Sequence, residues 1–144
     1  MKAAQGRFAR ELSSLDGVFR LVNSFAADAH LDSVMEAELA VATEELFVNA
    51  VRHSRGGDGT VDIYLSSETG WLELRLIDHQ VEPFDITASP PAELDLPIEQ
   101  RHSGGMGLHL VRQFADKLSY QHENGDSVIT FRRRIPDHDV HRTI

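Results

Sequence analysis

The chain has 144 residues, one domain by length and large enough to bury roughly two-thirds of its unfolded surface. Its composition, 41% hydrophobic and 26% charged, is that of a globular protein, and a formal charge of -9 argues against binding to a nucleic-acid backbone. The absence of cysteine excludes disulfides and thiolate sites; Met1 to Arg7 lacks the apolar core of a signal peptide, and no run approaches the roughly 20 apolar residues that span a bilayer, so a soluble, cytoplasmic protein without membrane association is expected.

Taken in chain order, Phe8 to Leu12 alternates weakly and predicts a short edge strand. Ser13 or Ser14 is placed to cap a helix carrying Leu15, Val18, Phe19, Val22, Phe25 and Ala26 at helical spacing and ending near His30. Asp32 or Ser33 caps a second helix, in which Met35, Leu39, Ala42, Leu46, Ala50 and His53 form one stripe. It stops at the glycine-dense segment Arg55 to Gly59. Two strands follow: Val61, Ile63 and Leu65 alternate with polar residues, and Leu72, Leu74 and Leu76 do the same after a turn at Glu68 to Gly70.

Residues 79–103 have no periodicity and hold four of the five prolines, which marks a lid or binding loop. A third helix is predicted from about Gly105 to Lys117, then a hairpin from Leu118 that turns at Asn124-Gly125 and returns over Val128 to Arg133. The tail from Pro136 is polar. No repeat or linker divides the chain, so a single domain over 1–144 is expected, with a lid over about 79–103 and a flexible tail over about 136–144. The element order implies an α+β fold, a two-layer sandwich with a mainly antiparallel sheet and helices on one face.

Three features carry chemistry. Glu45, Asn49 and His53 recur every four residues, which stacks them on one face of the second helix. Asn49 offers a neutral oxygen suited to Mg²⁺, which proteins commonly hold with one or two oxygen ligands plus phosphates. Glu45, one turn away, is placed to accept a proton from an attacking hydroxyl. Gly104, Gly105, Met106 and Gly107, ahead of Leu108, open a helix with glycines that allow phosphate to approach free backbone N–H groups. Asp78 closes the apolar run from Leu72 and is suited to accept a hydrogen bond from an exocyclic amine such as that of adenine.

This order of motifs resembles the GHKL ATPase superfamily and, within it, the anti-sigma-factor serine/threonine kinases. The run Glu45 to His53 matches the family's N box, Asp78 the aspartate of its G1 box, and Ser103 to Val111 its G2 box. Pro83-Phe84-Asp85 resembles an element at the start of the lid in those kinases, and the similarity runs from about Leu15 to Arg133. The resemblance implies a Bergerat-type sandwich that binds ATP and Mg²⁺, with Glu45 as base, Asn49 as metal ligand, Asp78 reading adenine, and Gly105 and Gly107 lining the phosphates. It also implies an anti-anti-sigma (STAS-domain) protein as substrate, a sigma factor as competing partner, and homodimerisation.

One departure from the pattern is Asp78-His79-Gln80, where the family has glycine at the third position. A side chain there is expected to redirect the loop or enter the adenine pocket, and it favours an alternative: a binding module of the same fold that acts by sequestration alone. The ATP-binding domain of a histidine kinase is a third reading, against which residues 1–33 offer no phosphoacceptor hairpin. Glu44 is expected at the surface, and His53 either touches the nucleotide or, the favoured reading, packs beneath the site as a structural histidine closing its helix. Arg101 and His102 are expected as solvated loop residues with a possible role on phosphate, the eight histidines as scattered rather than metal-binding, and Arg132 to Arg134 as edge protection.

Overall fold

The computed structural model describes residues 1–85 and 105–136, and of residues 105–107 the backbone. The elements are β1 (Lys2–Ala9), α1 (Leu15–Asp28), α2 (Ser33–His53), β2 (Thr60–Glu68), β3 (Trp71–Asp78), α3 (Gly105–Phe114), β4 (Lys117–Glu123) and β5 (Asp126–Arg134), with a single 3-10 turn at Leu12–Ser14. The strands form one antiparallel sheet in the order β1-β2-β3-β5-β4, so β1 and β4 are its edges. The α+β sandwich expected from the element order is what forms. Among the described residues, no helix is long and apolar enough to cross a membrane.

One face of the sheet is apolar because the strand period of two puts Val61, Ile63, Leu65, Leu72, Leu74, Leu76, Ile129 and Phe131 on the same side. These residues meet Val18, Val22 and Phe25 of α1 and Met35, Leu39, Ala42, Leu46 and Phe47 of α2 in one core. Burying each large side chain stabilises the fold by about 1.5–3 kcal/mol. The helix α2 packs against both α1 and α3 and is therefore central, which is why nine of its residues are buried. The Asp32 carboxylate caps it by accepting from the Met35 N–H at 2.8 Å.

Several boundaries differ from the sequence-based expectation. The first strand covers Lys2–Ala9 rather than starting at Phe8, because its inward residues include Ala4 and Gly6, which carry little hydrophobic signal. The Phe8 ring folds over Gly6 and reaches edge-on toward Phe47, with centroids 6.5 Å apart. Ser14 occupies the position before α1 but makes no side-chain cap; its hydroxyl donates to the Ala9 carbonyl. The helix α3 ends at Phe114, because the Asp116 N–H already donates to Arg132 across the sheet and Lys117 begins β4.

The basic run Arg132 to Arg134 does not protect an edge, because β5 lies between β3 and β4. Arg133 forms a two-pronged pair with Glu38 of α2, at 2.9 and 3.3 Å, while Arg132 and Arg134 flank the Trp71 ring on the opposite face of the sheet. The hairpin turn at Asn124-Gly125 forms as its residue types demand, with positive φ at both positions. Of the lid expected over about 79–103, residues 86–103, with Arg101 and His102, lie outside the described residues, as does the tail beyond Pro136.

Candidate functional site

A cleft opens between the C-terminal half of α2 and the ends of β3, β4 and β5. Leu46, Asn49, Ala50 and His53 line it from α2, Leu76 and Asp78 from β3, Tyr120 from β4, and Ser127 and Ile129 from β5. Ser54, Glu82 and Phe84 complete the wall. Its space, counted to the open mouth, is about 410 Å³. Leu46, Ala50, Leu76 and Ile129 make the floor apolar, and the polar groups stand around it.

The structure brings Asn49 and Asp78 to the same cleft, from a helix and a strand 29 residues apart in sequence numbering. Asn49 is buried, and its Nδ2 has no partner among the described residues; a half-turn of the carboxamide exchanges that nitrogen for its oxygen. Asp78 is 2% exposed, with Oδ1 held by Arg10 at 2.8 Å and Oδ2 without a partner among the described residues. Glu45 sits one turn before Asn49, outside the cleft lining, and its Oε1 is also buried and without a partner among the described residues. Burial pushes the Glu45 carboxyl above its ordinary range, against an opposing pull from Arg52. Glu44 is exposed, as its place on the helix predicts.

His53 is exposed and stands at the mouth of the cleft, where the sequence suggested a structural role beneath it. Its ring stacks on Phe84, with centroids 4.9 Å apart and planes at 4°. The Phe84 N–H donates to the Tyr120 hydroxyl at 3.0 Å, which in turn is 3.3 Å from the Ser127 hydroxyl. The backbone of Gly105, Met106 and Gly107 forms the start of α3, and Leu108 is buried behind it; Gly104 lies outside the described residues.

The segment after Asp78 is tied down on both sides. Val81 N–H donates to Gly125, Glu82 N–H donates to Arg55, and His122 Nε2 donates to the Val81 carbonyl at 2.7 Å. Gln80 adopts φ 55°, the left-handed conformation that glycine takes most readily. Its side chain leaves the cleft and donates to Asn124 O at 3.0 Å and Asp126 Oδ1 at 3.1 Å. The expectation that this side chain enters the adenine pocket is not met. His79 lies between Asp62, at 2.7 Å, and Asp126, at 3.4 Å; the hydrogen bond to Asp62 raises the imidazole pKa, and Asp126 adds to it.

Sequence reasoning passed over Arg10, Tyr120 and Ser127. Tyr120 and Ser127 fall on the inward positions of β4 and β5, so the strand period alone could have pointed to them. Arg10 carries no such signal, because its contact depends on β1 lying two strands from β3.

A sequence model of the histidine kinase-like ATPase domain matches residues 8–133. Among solved structures, the chain is similar to the crystal structure of the RsbU and RsbW domains of Rv1364c from Mycobacterium tuberculosis, with a TM-score of 0.67 and 14% identity. The match covers 93% of this chain and 32% of that one, so the protein spans about a third of that structure's length. At this identity the likeness is one of fold. Comparison with curated proteins gave no match. The family match extends over nearly the whole chain and agrees with the GHKL resemblance of the N, G1 and G2 motifs: the chain belongs to the histidine kinase-like ATPase family.

Proposed function

We propose that the protein is an ATP- and Mg²⁺-dependent serine/threonine protein kinase of the anti-sigma-factor type, which phosphorylates a STAS-domain anti-anti-sigma protein and sequesters a sigma factor in the cytoplasm. The observation that carries this reading is that three of the four buried side-chain atoms without partners among the described residues gather here, Glu45 Oε1, Asn49 Nδ2 and Asp78 Oδ2; the fourth, Arg132 Nε, lies by Trp71 away from the cleft. An unpaired buried polar atom costs about 1–3 kcal/mol, so three of them on and beside one cleft call for a ligand that pairs with them. Support for the anti-sigma form comes from the motifs Glu45 to His53 and Ser103 to Val111, and from the fold shared with a structure that includes an RsbW domain.

In this reading, the adenine ring lies on Leu46, Ala50, Leu76 and Ile129 with its amine toward Asp78 Oδ2. The Asn49 carboxamide is the protein's ligand to Mg²⁺, which neutralises charge on the phosphates. The N–H groups of Gly105, Met106, Gly107 and Leu108 at the start of α3, with Gly104 before them, face the phosphates. Glu45 accepts the proton of the substrate hydroxyl as the new O–P bond forms and the bond to ADP breaks. Its raised pKa brings it closer to working pH and makes it a stronger base.

The test incubates the protein with labelled ATP, Mg²⁺ and a recombinant STAS-domain protein. The expected results are phosphoserine or phosphothreonine on the partner, none with Glu45→Ala, and no Mg²⁺-dependent ATP binding with Asn49→Ala while its circular dichroism is unchanged. No ATP binding by calorimetry together with an unmodified partner overturns the reading. The second reading, a binding module of the same fold that acts by sequestration alone, is the one the glutamine at position 80 favours in the sequence. Partner complexes that form without phosphate transfer are its signature.

A further inference from the structure

Asp78 is not a free carboxylate. Arg10, the residue after β1, reaches across β2 and donates from Nη1 to Asp78 Oδ1 at 2.8 Å. Its Nη2 donates to the Gly56 carbonyl at 2.8 Å, and its backbone N–H donates to Gly59 O at 2.7 Å. The pair is deep: the side chains of Arg10 and Asp78 are 13% and 3% exposed. A guanidinium held at two acceptors and by its own backbone has a fixed plane, so it also fixes the rotation of the carboxylate it grips.

The geometry points to Arg10 as a positioning residue that makes the cleft select a 6-aminopurine over a 2-amino-6-oxopurine. This rests on the reading of the cleft as an ATP site. A free carboxylate reads guanine side-on, one oxygen to N1–H and the other to the 2-amino group, because it can accept in two parallel bonds. Arg10 takes one acceptor site of Oδ1 and locks the carboxylate's rotation, which leaves Oδ2 as the oxygen without a partner among the described residues. One acceptor suffices for the 6-amino group of adenine. Guanine in the same place leaves one of its two donors unpaired, or sets its O6 against the carboxylate oxygen. Sites with buried polar groups discriminate strongly against a ligand that leaves a group unpaired.

The test measures calorimetric affinities for Mg·ATP and Mg·GTP in the wild type, Arg10→Met, Arg10→Lys and Asp78→Ala, with thermal melting of each. The wild type is expected to favour ATP by at least about 100-fold. Arg10→Met frees the second oxygen and is expected to narrow that ratio to below about 10-fold, with Arg10→Lys between the two, because an ammonium replaces the planar fork with a point charge. Equal losses of ATP and GTP affinity in Arg10→Met, with the ratio unchanged, overturn the proposal and leave the nucleotide reading intact. If Arg10→Met does not fold, an unchanged ratio in Arg10→Lys overturns it equally. A wild type that binds no ATP, or ATP binding unaffected by Asp78→Ala, overturns the nucleotide reading and this one with it.

Discussion

Gln80 and Asp126 are joined twice: the Gln80 backbone N–H donates to the Asp126 carboxylate at 3.0 Å, and the Gln80 side-chain amide donates to the same oxygen at 3.1 Å. This staple accounts for a glutamine at a φ of 55°. The left-handed conformation costs a non-glycine residue about 1–2 kcal/mol, and the bonds to the β4–β5 hairpin offset it. The backbone thus follows a path open to glycine, while the side chain is held outside the cleft.

Replacing Gln80 with glycine is therefore expected to be nearly neutral. The backbone strain is relieved and the side-chain bonds are lost, so stability should change by less than about 1 kcal/mol. ATP affinity should stay within about threefold, well under the tenfold that 1.4 kcal/mol represents. Urea denaturation and calorimetry check both, and a tenfold gain in affinity would show that Gln80 obstructs the base.

Gly57 is the more constrained position. It has φ 75°, and a Cβ there would run into the His79 carbonyl, which is backbone and has no rotamer to yield. Gly57→Ala is expected to destabilise the fold by about 2 kcal/mol or more, since positive φ and steric conflict add. Gly59, also at positive φ but with open space around its Cβ position, is the matched control, and a smaller loss is expected there. Denaturant midpoints of the two variants that coincide would contradict the account.

Glu45→Gln should separate stability from activity. Burial raises the Glu45 pKa in the folded state, so as pH rises through the ordinary carboxyl range the unfolded chain releases its proton first. The ionised side chain therefore weakens the fold at neutral pH. The variant is expected to melt at the same or a higher temperature at pH 7.5, with the advantage vanishing toward pH 4. Phosphate transfer, if Glu45 is the base, should fall by about 10²- to 10⁴-fold. A variant that is markedly less stable at pH 7.5 would place a stabilising partner on Glu45.

His79 should make stability depend on pH in the opposite half of the scale. Its pKa is raised, first by the hydrogen bond to Asp62 and then by Asp126. The stabilisation is complete below the unfolded value of 6.5 and is lost as pH rises through the raised folded value. The stability difference between the wild type and His79→Gln should shrink over the interval from the unfolded value of 6.5 upward. Denaturation midpoints measured across that interval test it, and a constant difference would rule out the titration.

Periodicity alone determined most of the architecture. The apolar alternation of Val61 to Leu65 and Leu72 to Leu76, the stripe from Met35 to Ala50 and the Asn124-Gly125 turn are local consequences of backbone geometry, and each appears where its residues predict it. The four-residue spacing of Glu45 and Asn49 likewise puts them on one helix face without reference to anything distant. What sequence could not determine was pairing between elements far apart in the chain. The Arg10–Asp78 contact exists because β1 pairs with β2 in a register that sets Ala9 beside Thr60, next to the Val61–Asp78 pair. The outward course of Gln80 depends on the hairpin brought beside it by β3–β5 pairing, and Arg133 meets Glu38 only because a central strand lies under α2. Such contacts depend on strand order and register, which close-packing of the whole core selects and no local pattern records.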